Sequence, residues 1–124
     1  MHDFQSFIEL NALTAVLPYG LIVIGDDSEI LSVSEPLCRM TGYSEKELIG
    51  QNVDMLIPKD TQNPHREPLK YYVRNGHDPK PMKPLSDVPL LRKAGDVIRV
   101  SIERYIFRYD GELRFGGSVK PLAN

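Results

Sequence analysis

Hydrophobic positions along the chain change their period three times. From Asp3 to Leu17, "DFQSFIELNALTAVL" contains neither glycine nor proline and winds as a helix whose apolar residues fall into two bands. Phe4, Ile8, Ala12, Ala15 and Val16 make one band, and Phe7, Leu10, Leu13 and Leu17 the other, with Glu9 and Asn11 between. A helix apolar on two sides is expected to touch two things, its own domain and a second copy of the chain, although a helix buried within a monomer carries the same pattern. Next, "YGLIVIGDDSEILSVS" predicts two short strands, Leu21 to Ile24 and Ile30 to Val33, joined by a Gly-Asp-Asp-Ser turn. In "SEPLCRMTGYSEKELIGQNVDMLIP" the period shifts again. Ser34 and Pro36 are placed to start a short helix that Gly42 ends, and Ser44 with Glu47 three residues on is a capping box for another.

The stretch "NPHREPLKYYVRNG" puts His65 on one helical face with Leu69, Tyr72 and Val73. Proline inside a helix costs about 3 kcal/mol and is tolerated mainly in the first turn, so Pro68 starts the regular helix near itself and leaves His65 ahead of it. Seven of the ten prolines lie between Pro58 and Pro89, and "HDPKPMKPLSDVP" is expected to be a stiff extended connector. Beyond it, "VPLLRKAGDVIRVSIERYIFRYDGELRFGGSVKPL" holds three strand candidates separated by Ala-Gly-Asp and Asp-Gly, both hairpin signals. Ile98, Val100 and Ile102 alternate with Arg99, Ser101 and Glu103. Further along, Ile106 continues the inner side while Tyr105, Phe107 and Tyr109 line the other, so something is expected to cover the outer face, the N-terminal helix first. The fold class is α+β: a five-stranded antiparallel sheet with short helices on one face and an N-terminal helix.

Composition narrows the function. With 124 residues, 41% of them apolar, the chain builds one core. Fifteen basic against seventeen acidic residues give a net charge of -2, which attracts no polyanion, so nucleic acid is not an expected partner. The single cysteine, Cys38, forms no intrachain disulfide and no multi-cysteine zinc site, which fits a cytoplasmic protein. No apolar run approaches the roughly 20 residues of a membrane span, and "MHDFQSFIEL" is not a signal peptide. Paired carboxylates, a Ser-His-Asp elbow, a phosphate loop and metal-ligand spacing are all missing from the pattern, so an enzyme on a small α+β fold is the rival reading and not the first one.

The element order and the strings "GYSEKELIG", "LIP" and "RKAGD", in that sequence, resemble a PAS domain over about residues 18 to 119. The resemblance implies a core domain over 18-124 preceded by a helix over 1-17. It also implies a sensory and dimerisation module of a bacterial-type signal-transduction protein, without catalytic activity, relaying to an effector domain or partner protein. A homodimer through the N-terminal helix and the outer sheet face is expected. The pattern and the resemblance together place a small-ligand pocket, or a filled core, among His65, Leu37, Met40, Met55, Leu69, Tyr72, Val73 and Val100. In haem-binding members a histidine at the position matched by His65 ligates iron, which makes a haem-based gas or redox sensor the alternative. Oxygen-sensing members also carry an arginine where this chain has Leu85. Light-sensing members carry a cysteine where "GQNV" places Val53, so no covalent flavin adduct is expected, while flavin held non-covalently stays open.

Overall fold

The computed structural model describes residues 19–61 and 80–122, apart from the side chains of Lys80 and Pro81. The two predicted strands are β1, Gly20–Ile24, and β2, Ile30–Val33, paired antiparallel with Ile22 opposite Val33. Their turn closes through Gly25 N–H to the Glu29 carbonyl, with Ser28 at a positive φ of 63. Helix α1, Glu35–Thr41, ends at Gly42, whose φ of 83 is the left-handed cap that a glycine adopts without strain. Helix α2, Glu45–Leu48, begins with the expected capping box: the Ser44 hydroxyl accepts from Glu47 N–H, and the Glu47 carboxylate accepts from Ser44 N–H. Two short 3₁₀ turns, Val53–Leu56 and Lys59–Thr61, follow.

The remaining strands are β3, Lys80–Leu91, β4, Val97–Tyr109, and β5, Glu112–Pro121, and the sheet order is β2-β1-β5-β4-β3, antiparallel throughout. Asp110 and Gly111, at φ 51 and 80, make the two-residue turn between β4 and β5 that Asp-Gly predicts.

Two expectations need correction. The proline-rich stretch from Lys80 is not a separate connector but the first half of β3. Prolines persist there because β3 is an edge strand, where a missing N–H breaks no bond to a further neighbour. The ladder shifts register twice, between Met82 and Leu85 and between Leu85 and Val88. Arginines of β4 supply donors at those gaps. Arg104 Nε and Nη2 donate to the Lys83 carbonyl at 3.0 and 2.6 Å, and Arg99 Nη2 donates to that of Asp87 at 2.5 Å. The second correction is Ser34, which occupies the N-cap position of α1 without capping it. Its hydroxyl donates to the Tyr19 carbonyl at 2.6 Å and accepts from Leu21 N–H at 2.8 Å, so it ties the start of β1 to the end of β2. The expected N-terminal helix lies outside the described residues.

Candidate functional site

Period-two alternation sends Ile22 of β1, Val119 and Phe115 of β5, and Val100, Ile102 and Ile106 of β4 to one face of the sheet. Helix α1 lies over β1 on that inner face, and glycines set how closely. A Cβ on Gly20 would stand 2.9 Å from the Val119 carbonyl oxygen, 3.1 Å from Met40 Cε and 3.6 Å from Leu37 Cδ1. Gly117, opposite Ile22, leaves room filled by Ile102 and Ile22, which a Cβ would meet at 3.3 and 3.4 Å.

Four of the eight residues singled out in the sequence meet here. Leu37 and Val100 are fully buried in an apolar cluster with Ile22, Ile30, Leu48 and Val119, and Met40 and Met55 pack against it while keeping exposed surface. Val53 packs against the same cluster and donates its N–H to the Ser28 carbonyl. Leu85 is half-buried opposite Ile102. His65, Leu69, Tyr72 and Val73 lie outside the described residues.

Sequence reasoning missed what holds α1 in place. The β3–β4 turn, Arg92 to Asp96, docks on the end of that helix: Arg92 Nε donates to the Met40 carbonyl at 3.0 Å and Lys93 N–H to that of Thr41 at 2.9 Å. These are last-turn carbonyls without an intrahelical partner, where a cation is favoured. Lys93 Nζ also reaches the Glu47 carboxylate at 2.6 Å. The only local signal was an Arg-Lys pair before a Gly turn, which says nothing of its partner.

Among the described residues the perturbed groups are few. The Lys93 ammonium, and then the Ser44 N–H, hold the Glu47 carboxyl below its ordinary value near 4.5. Burial, with the Glu45 and Glu35 carboxylates nearby, pushes the Cys38 thiol up, which keeps it protonated and poorly nucleophilic at neutral pH. The Glu103 carboxylate, accepting the Tyr105 hydroxyl at 3.1 Å, raises that phenol. A buried carboxylate held protonated, which acid-base chemistry would use, is not among these groups. No set of three His, Cys, Asp or Glu among the described residues could hold a metal ion, and no described helix is long and apolar enough to cross a membrane.

Residues 18–118 match the family model of the PAS domain. A stretch of 57 residues is 32% identical to the oxygen sensor protein DosP of Escherichia coli (strain K12), covering 46% of this chain and 7% of that protein. The chain therefore spans only a small part of this curated relative. The crystal structure of the PAS domain of an HTR-like protein from Haloarcula marismortui superposes with a TM-score of 0.72 at 19% identity, covering 95% of this chain and 98% of that one. The PAS domain from a two-component sensor histidine kinase gives 0.68 at 15%, covering 95% and 97%. The LOV protein of Rhodobacter sphaeroides gives 0.65 at 17%, covering 99% and 70%. At such identities the likeness is one of fold.

Proposed function

The chain belongs to the PAS domain family, and we propose that it is a cytoplasmic sensory module whose inner sheet face takes a small apolar ligand and whose dimer passes the change to an effector domain or partner protein. The observation that carries this reading is the convergence of Leu37 and Met40 of α1 with Met55 and Val100 in one apolar layer over the inner face, with α1 pinned by the β3–β4 turn. Leu69, Tyr72, Val73 and His65 are assigned to the wall that closes it. Met40 and Met55 suit such a pocket, because unbranched thioethers repack around a guest at small cost. The segment over residues 1–17 is assigned to the outer face and to a second copy. Val23 and Ser32, opposite each other on that face, are both buried, and Val23 belongs to neither apolar cluster of the described residues.

Haem on His65 is the second reading, favoured by the 57 residues that resemble an oxygen sensor. The described inner face suits it poorly. A macrocycle needs a broad slot, whereas Leu37 and Val100 are fully buried and the space above Gly117 is taken by Ile102 and Ile22.

An absorption spectrum of the freshly purified chain before and after dithionite, with mass spectrometry of its organic extract, separates these cases. We expect no Soret band and a colourless extractable ligand, or a thermal shift with an apolar metabolite library that Met40→Lys abolishes. A Soret band that moves on reduction and is lost in His65→Ala would replace this reading by the haem sensor. An unchanged melting temperature with every compound, while the dimer persists, would leave protein interaction alone.

A further inference from the structure

An arginine interrupts the apolar inner face. Alternation along β4 turns Ile98, Val100, Ile102, Arg104 and Ile106 inward, and across the ladder Arg104 stands between Met82 of β3 and Gly117 of β5. It is half-buried, whereas Glu103 and Tyr105 on either side of it are exposed on the other face. The acidic residues of β4 and β5, Glu103 and Glu112, both take outward positions. The charged residues of these strands that turn inward are Arg104 and, at the turn, Arg108. The inner face of β4 and β5 is therefore positive.

Burial is uneven across this face. Ile22, Phe115 and Val119 on the β1 and β5 side are buried, but Met82, Leu85 and Ile102 around Arg104 keep exposed surface. Met82 packs with Ile106 and Phe115 in one apolar cluster of the described residues, Ile102 with Val100 in the other, and Leu85 belongs to neither. Gly117 adds no side chain between them. Arg104 thus stands at a seam between two apolar clusters, on the side where the Val53–Leu56 turn, with Met55, lies against β3.

Part of its role is structural, because Nε and Nη2 donate to the Lys83 carbonyl at 3.0 and 2.6 Å. A carbonyl is neutral, so this contact orients the guanidinium without cancelling its charge. The edge formed by Nη1 and Nη2 is the fork that matches a planar carboxylate. We propose that Arg104 anchors the acidic head of the pocket's ligand, a straight-chain monocarboxylate whose apolar body lies along Leu85 and Ile102 toward Met55 and Val100. From Arg104 to Val100 is four residues of strand, about 13 Å, which sets the length of that body. A straight chain suits the seam because Leu37 and Val100, fully buried, leave little breadth for a ring system. This rests on the small-ligand part of the proposed function and names the ligand's class.

Titration calorimetry of the full chain with decanoate, decanol and decylamine, each below its micelle-forming concentration, tests the anchor. Decanoate should bind about ten- to a hundredfold tighter than decanol, with decylamine the weakest. Arg104→Gln should bring decanoate down to the level of decanol, Arg104→Glu should invert the order in favour of decylamine, and Arg108→Gln should leave the order untouched. Both Arg104 variants also lose the Lys83 contact, so the probes are compared with one another on the same variant and a general loss of stability cancels from the ratio. Should neither variant fold, the order of the three probes on the unaltered chain decides. Equal binding of all three by that chain, or a decanoate preference that survives Arg104→Gln, would overturn the anchor and leave the apolar pocket standing. No binding of any probe, while an apolar metabolite still raises the melting temperature, would overturn the straight-chain acid alone. No binding and no thermal shift with any compound would remove the small-ligand reading with it.

Discussion

Gly20 shows how far one missing side chain determines the inner face. Its Cβ would meet a backbone oxygen at 2.9 Å, and a strand carbonyl has no flexible end to move aside. Gly20→Ala should therefore cost about 1–3 kcal/mol in urea denaturation. The two buried serines around β2 behave oppositely. Ser34 satisfies Leu21 N–H and the Tyr19 carbonyl at once, so Ser34→Ala orphans a part-buried donor and should cost about 1–3 kcal/mol. Ser32 is fully buried and its hydroxyl has no hydrogen-bond partner among the described residues, so Ser32→Ala should leave stability unchanged or raise it, seen as an equal or higher melting temperature. No local rule separates the two in the sequence. A capping motif is read three residues at a time, whereas the partners of Ser34 lie 13 and 15 residues away.

At the scale of elements, the β3–β4 turn acts as a clasp on the helices. Because the folded-state pKa of Glu47 is lowered, its contribution is present above the ordinary carboxylate value near 4.5 and is lost as pH falls through the folded value. Lys93→Met removes the first cause of that shift and leaves the capping box. The Glu47 carboxyl followed by NMR titration should move part of the way up toward 4.5, and the acid dependence of unfolding in that window should flatten. The hairpins themselves were legible, since Asp-Gly and Ala-Gly-Asp demand turn geometry whatever surrounds them. The start of β3 was not. Prolines argue against a strand interior, and only the sheet order makes this strand an edge where they are tolerated. Of the arginines that mend its two register shifts, Arg99 reads in the sequence as the polar side of an alternating strand, and no local signal names the partner of either Arg99 or Arg104.

Across the whole molecule, the same side chains serve as core and as candidate pocket. Leu37→Ala should cost about 2–5 kcal/mol if Leu37 is core, as its complete burial implies, against the 5–15 kcal/mol of total stability usual for a domain of this size. A much smaller cost, together with a changed response to an apolar ligand, would identify it as pocket wall. The periodicity of the chain determined the β1–β2 hairpin, the short helices with their Gly42 and Ser44 boundaries, and the alternation of β4, because these depend on neighbours within a few residues. The expectation that Leu37, Met40, Met55 and Val100 line a pocket or fill a core rested on the resemblance as well, since a family carries its layer order with it, and the described residues pack these four in one apolar cluster. Tertiary structure alone decided that Arg92 and Lys93 hold the end of α1, that Ser34 ties β1 to β2, and that Met82 and Gly117 flank Arg104 on the inner face. Those outcomes depend on which strands become neighbours and which lies at the edge, and that is settled by burial of the whole sheet and not by any local preference.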